Sequence, residues 1–140
     1  MFGKWLMRLV MTIYVFLYRR TGGKVGGHLG AMPVLLLTTT GRKTGKKHTV
    51  PVMYLSEGPN YIITASNNGG EKPPAWWLNL KSSPEATIEI GGDMRLVTTK
   101  QASSEEKRRL WEQLVEKAPA FDGYQKRTRR EIPMIILRPK

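Results

Sequence analysis

Cysteine is absent from the 140 residues. That excludes thiolate catalysis, disulfide frameworks, iron–sulfur clusters and thiolate-held zinc. Histidine is almost absent: His28 and His48 are the two, which argues against a multi-histidine metal centre. Acid is missing from the first 56 residues, where nine Lys/Arg precede the first carboxylate, Glu57. A bilayer-length apolar run is missing as well. The longest such stretch, Trp5 to Tyr18, has 14 residues and carries Arg8, whereas a span takes about 20. Arg19 and Arg20 follow it where a signal peptide would place small residues for cleavage. No Ser/His/Asp order, paired-carboxylate motif, internal repeat or low-complexity tract occurs. No sustained strand–helix–strand alternation occurs either, which disfavours a Rossmann sheet.

What is present is a 15.9 kDa chain of ordinary apolar content (40%) and unusual net charge, +12. Such a length fits one folding domain that needs no staple. Residues 57–140 hold 14 bases and 11 acids, so three quarters of the excess charge lies in residues 1–56. The bias implies an anionic partner: nucleic acid, an acidic membrane surface or a polyanionic small molecule. The sequence lacks the run of aromatics expected of a single-strand nucleic-acid binder.

The Trp5–Tyr18 stretch reads as a helix. It is either an interfacial helix with Lys4, Arg8, Arg19, Arg20 and Lys24 toward lipid headgroups, or one packed on the domain or on a second copy. Residues 21–30 hold five glycines and read as a linker, giving an N-terminal segment, 1–30, ahead of a domain at 31–140. Apolar and alternating runs at 33–40, 48–55, 61–66, 85–90, 94–99 and 133–138 predict six strands, several joined as hairpins. Pro74 opens a short helix through Leu80. Ser103-Ser-Glu-Glu106 is a capping box for a helix ending before Pro119, and Tyr124 falls in a following turn. The sum is a mainly β (α+β) fold, a six-stranded antiparallel barrel with peripheral helices.

Four places carry chemistry. Gly41-Arg42-Lys43-Thr44-Gly45-Lys46-Lys47-His48 is a basic turn. It is either an anion nest, with Arg42 forking onto phosphate or carboxylate, or a solvated hairpin tip. It lacks the spacing of a Walker loop. Ala75-Trp76-Trp77-Leu78-Asn79 sets two indoles about 100° apart on a helix: one for the core, the other for the core or a cleft. Thr64-Ala65-Ser66-Asn67 ends a strand with small residues, so it caps a turn or lets a flat ring approach Ser66. Tyr124 is a surface tyrosine, or covers a pocket and donates a proton. With no acid/base set of its own, redox chemistry in this chain would need a cofactor.

In one order, Leu-Tyr-Arg-Arg-Thr-Gly-Gly23, Leu-Leu-Leu-Thr-Thr-Thr-Gly-Arg-Lys-Thr-Gly45, Ile-Thr-Ala-Ser66, Glu71-Lys-Pro73, Trp76-Trp-Leu-Asn-Leu-Lys81 and Ile132-Pro133 occur. From Tyr18 to Pro139 the chain thereby resembles the deazaflavin-dependent nitroreductases of actinobacteria. The resemblance implies a split β-barrel that binds coenzyme F-420, with FMN as the alternative cofactor. It places cofactor contacts on Arg42, Lys43 and Thr44, and on His48, Thr49, Val50, Pro51, Val52 and Met53. Further contacts would fall on Thr64, Ala65, Ser66 and Asn67, on Ala75, Trp76, Trp77, Leu78 and Asn79, and on Tyr124. The chain departs from that pattern at His48 (arginine there), Met53 (tyrosine) and Asn67 (lysine).

F-420 has an anionic phosphodiester and oligoglutamate tail for the basic turn and an uncharged tricycle for the indoles. The implied activity is hydride transfer from reduced F-420 to a quinone, enone or nitroaromatic, with Ser66, Tyr124 or water supplying the proton. A carrier without turnover and a basic membrane- or nucleic-acid-binding module are the rival readings. The expected partners are the cofactor, a small hydrophobic acceptor and an anionic membrane surface, not nucleic acid; monomer and dimer stay open. The expected location is the cytoplasm, peripheral on the inner face of the cell membrane.

Overall fold

The computed structural model describes residues 2–140, except the side chains of residues 2, 4 and 68. The headgroup role expected of Lys4 therefore lies outside the described residues. Eight strands form one antiparallel sheet that curls into an open half-barrel. In chain order they are β1 (His28–Leu29), β2 (Met32–Thr40), β3 (Lys47–Met53), β4 (Leu55–Glu57), β5 (Asn60–Thr64), β6 (Glu85–Ile90), β7 (Asp93–Gln101) and β8 (Met134–Pro139). The spatial order is β1-β2-β6-β7-β8-β5-β4, with β3 attached to β2 alone. Four helices surround it: α1 (Phe2–Thr21), α2 (Ala75–Ser82), α3 (Ser104–Lys117) and α4 (Ala120–Arg127).

The antiparallel split barrel expected from the sequence is the fold observed, with eight strands where six were expected. The run 48–55 breaks at Tyr54, whose N–H donates to the Pro33 carbonyl at 3.0 Å. Leu55 then pairs with Ile62 instead, so the chain turns a barrel corner between β3 and β4. The glycine-rich stretch holds β1 and is folded back: the Gly23 N–H donates to the Tyr18 carbonyl and the Val34 N–H to the Gly27 carbonyl, both at 2.8 Å. Tyr124 lies in helix α4, not in a turn. Pro119 at its N-cap has φ −57°, which suits a helix entry where no proline N–H is needed.

Strand alternation decides the core. Leu35, Leu37, Ile63, Ile88, Val97, Ile135 and Leu137 fill the barrel with Trp77 and Leu80 of α2. The opposite faces of β5 and β8, through Ile62, Met134 and Ile136, receive Leu110 and Leu114 of α3 and Phe121 of α4. The capping box of α3 is formed, Ser103 and Glu106 bonding reciprocally, and those bonds hold the Glu106 carboxyl below its usual pKa.

Helix α1 packs on the barrel through Tyr14, Val15 and Tyr18. The Tyr18 hydroxyl sits between the carbonyls of Val34 (3.0 Å) and Glu89 (3.2 Å) and accepts the Gly91 N–H (3.1 Å). Burial is the main cause raising its pKa. Arg19 pairs with the buried Glu89 carboxylate at 3.2 Å. On its other side the helix leaves Trp5, Leu6, Leu9, Val10, Ile13, Phe16 and Leu17 exposed. At 100° per residue these fall within an arc of about 140°.

Candidate functional site

The β2–β3 hairpin carries the basic turn to the N-terminal half of α2. Its loop is a closed hydrogen-bonded unit: the Gly41 N–H donates to the Lys46 carbonyl (2.7 Å) and the Gly45 N–H to the Gly41 carbonyl (2.8 Å). Gly41 leaves room for two side chains that a larger residue would displace. A Cβ there would lie 2.9 Å from His48 Nε2 and 3.0 Å from Thr44 Oγ1. The backbone N–H groups of Lys43 and Thr44 have no partner among the described residues, as an anion nest requires. Arg42, Lys43 and Lys46 are exposed and none pairs with a carboxylate among the described residues.

Asn79 braces this loop from below. It is 5% exposed. Its Oδ1 accepts the Arg42 N–H at 3.2 Å and Arg42 Nη1 at 3.4 Å, and its Nδ2 donates to Thr39 Oγ1 at 3.0 Å. One amide thus serves the loop and β2 together.

A cleft of about 320 Å³ lies between loop and helix. It is lined by Thr39, Gly41, Arg42, Lys43, Thr44, His48, Val50, Ala75, Trp76 and Asn79. The structure therefore brings together eight of the residues expected from the sequence. It adds Thr39 of β2 and Gly41, the first residue of the basic turn, neither of which was among the expected cofactor contacts. Trp76 borders the cleft half-buried, whereas Trp77 is buried in the core with Lys81 over its ring at 5.2 Å. Leu78 is half-buried and absent from the cleft lining.

A second trough, of about 650 Å³, runs between α1 and β3 and is lined by Met7, Arg8, Met11, Thr12, Val15, Lys47, His48, Thr49 and Val50. His48 and Val50 border both spaces. Further along β3, Pro51 is half-buried, Val52 packs on the barrel core and Met53 on the clusters beyond it.

The remaining expected residues gather elsewhere. Thr64 ends β5 opposite Met134, Ala65 is fully buried and Ser66 leads into a 3-10 turn at Asn67–Gly69. Asn67, at φ +46°, donates from Nδ2 to the Lys72 carbonyl. Tyr124 of α4 stacks edge-on against Phe121 at 5.3 Å, with the Arg127 guanidinium 5.7 Å above its ring. The turn and α4 touch backbone to backbone: a Cβ at Gly69 would sit 2.6 Å from the Tyr124 carbonyl oxygen. No cluster of metal-ligating side chains occurs among the described residues.

Comparison with known proteins matches residues 10–139 to the family model described as F420H(2)-dependent quinone reductase. An F420H(2)-dependent quinone reductase of Mycobacterium tuberculosis strain H37Rv is 37% identical, covering 96% of either chain. A solved F420-H2 dependent reductase, FDR-A, superposes with TM-score 0.69 at 37% identity, over 75% of this chain and 93% of its own. A solved domain-swapped dimer superposes with TM-score 0.71 at 32% identity, over 96% and 98%.

Proposed function

The chain belongs to the F420H(2)-dependent quinone reductase family, and on that footing we propose that it reduces a quinone with reduced coenzyme F-420. The observation that carries this reading is the cleft itself: an anion-accepting loop with unpaired cations on one side and the Trp76 indole on the other. That donor set fits the cofactor, since F-420 joins a polyanionic tail to an uncharged tricycle. Arg42 and Lys43 hold the tail, the free N–H groups of Lys43 and Thr44 take an anionic oxygen, and Trp76 with Val50 walls the ring system. The bound cofactor supplies a hydride. The chain supplies position and dryness. Met7, Met11 and Val15 in the adjoining trough suit the apolar part of the acceptor; Tyr124, which packs with Met53 of β3 on one apolar cluster, and Ser66 beside it are the hydroxyls assigned to the proton for the reduced oxygen.

Mixing the protein with reduced F-420 and a naphthoquinone, and following the return of oxidised cofactor, tests the reaction. Acceptor-dependent reoxidation well above the protein-free rate is expected, with enones and nitroaromatics as comparison acceptors. A rate equal to the protein-free control overturns the reading. Titration read by tryptophan quenching is expected to show F-420 bound and not displaced by FMN.

The outer face of α1 supports a second part of the same reading: the protein rests on an anionic lipid surface, from which a lipophilic quinone enters the trough. No described helix is long and apolar enough to cross a membrane. The exposed apolar arc of α1 has Arg8 along one edge and the exposed Arg20 at its C-terminal end, the pattern of a helix lying in the interface. Tyr18 belongs to the core, so deleting residues 1–20 would damage the fold. The combined substitutions Trp5→Ser, Leu9→Ser and Phe16→Ser change only the outer face. Flotation with phosphatidylglycerol vesicles is expected for the native chain and lost in the triple variant. Equal flotation of both rejects the lipid contact.

A further inference from the structure

Arg130 lies between α4 and β8, and none of its hydrogen bonds goes to a cleft-lining residue. Its guanidinium makes three hydrogen bonds, all to backbone carbonyls of one short turn. Nη1 donates to Ala65 (3.1 Å), Nη2 to Ser66 (2.8 Å) and Nε to Gly70 (3.0 Å). No carboxylate pairs with it among the described residues, and desolvation lowers its pKa. The backbone around it is fixed too: its N–H donates to Thr128 Oγ1 (3.3 Å) and its carbonyl accepts Gln125 Nε2 (2.9 Å).

We propose that Arg130 is a positioning residue for the reductase reaction: its fork holds the carbonyls of Ala65, Ser66 and Gly70 and so fixes Ser66 against α4 and Tyr124. The inference rests on the reductase reading above. The Ser66 carbonyl also accepts the Gly69 N–H at 2.9 Å, so the turn closes on the same oxygen that Arg130 holds. Gly69 in turn abuts the Tyr124 backbone. One guanidinium therefore fixes the backbone that carries Ser66 and the turn that abuts the backbone of Tyr124. Lysine cannot replace it fully, because three donors on one nitrogen do not reproduce a planar fork spanning three carbonyls.

The test compares the native chain with Arg130→Met and Arg130→Lys. Three quantities are read: F-420 affinity by tryptophan quenching, kcat and KM for the naphthoquinone, and amide hydrogen exchange of the chain without cofactor. For Arg130→Met, kcat is expected to fall about 10- to 100-fold, the scale of an ångström-sized misplacement. F-420 affinity is expected to stay within about threefold, since the tail loop is untouched. Exchange at Gly69 and Gly70 is expected to quicken at least about tenfold while β2 is unchanged. Arg130→Lys is expected to recover part of kcat. Unchanged kcat in Arg130→Met overturns the positioning role. So does a joint fall of kcat and affinity with faster exchange throughout, which would mark Arg130 as general scaffold. A native chain without turnover instead overturns the reductase reading and this role with it, while unchanged exchange at Gly69 and Gly70 overturns the clamp alone.

Discussion

Replacing Asn79 by leucine is expected to weaken F-420 binding about 10- to 100-fold, which is about 1.4–2.8 kcal/mol, and to destabilise the fold as well. Leucine conserves the volume but removes both polar ends. The Arg42 N–H and the Thr39 hydroxyl then face an apolar side chain, and a buried polar group left unpaired costs about 1–3 kcal/mol. The binding loss has a different origin. Arg42 is held at both its backbone and its side chain by the same oxygen, so without it Arg42 enters binding unheld and must be fixed by the ligand. Thermal unfolding and a cofactor titration on the same samples separate the two effects. Thr39→Val loses only the hydroxyl partner of Nδ2 and leaves Oδ1 on the loop, so it is expected to weaken binding less than Asn79→Leu does. An Asn79→Leu protein that binds F-420 as the native chain does would remove Asn79 as the brace of the site.

Replacing Tyr18 by alanine is expected to bring the chain close to unfolding. The ring is 1% exposed among Val34 and Leu36, and loss of a buried aromatic side chain costs about 3–5 kcal/mol. Domains of this kind have about 5–15 kcal/mol in total. Tyr18→Phe keeps the ring and removes only the oxygen shared by Gly91, Val34 and Glu89. It is expected to cost about 1–3 kcal/mol, or a lowering of Tm by several degrees. Cleavage by a protease at residues 22–27 is expected to rise in both variants, since Tyr18 holds the end of α1 against β2 and the β6–β7 turn. A Tyr18→Ala protein with native Tm and native cleavage would show that α1 adds nothing to the stability of the barrel.

The features readable from the sequence are the local ones. The β6–β7 hairpin is announced by Gly91-Gly92-Asp93, α3 by its capping box, and the basic turn by glycines flanking a run of bases. Each depends on residues within a few positions of one another. The sheet order is not local: β2 lies beside β6, and β8 between β7 and β5, pairings that no window of sequence holds. Helix α4 was hidden because Gly123 and Pro119 argue for a turn, whereas packing of Phe121 beneath α3 makes it a helix. Of the site, the charged loop and the Trp76-Trp77 pair were legible as a basic, aromatic pattern, but not which indole faces the cleft. Asn79 was singled out, but as a ligand contact; its bonds to Thr39 and Arg42 join residues about 40 positions apart. Arg130 escaped altogether, because an arginine that serves three carbonyls looks in sequence like any other member of a basic chain.

Strand β3 has a hydrogen-bonded neighbour on one side only. An edge of that kind is a template onto which a strand from another molecule can add. Two devices blunt it here: α1 packs along β3, and Pro51 withholds an N–H from the ladder. The helix therefore protects the protein from self-association in addition to forming one wall of the trough. Lifting α1 off the barrel would uncover a β-edge that a strand from another copy could extend.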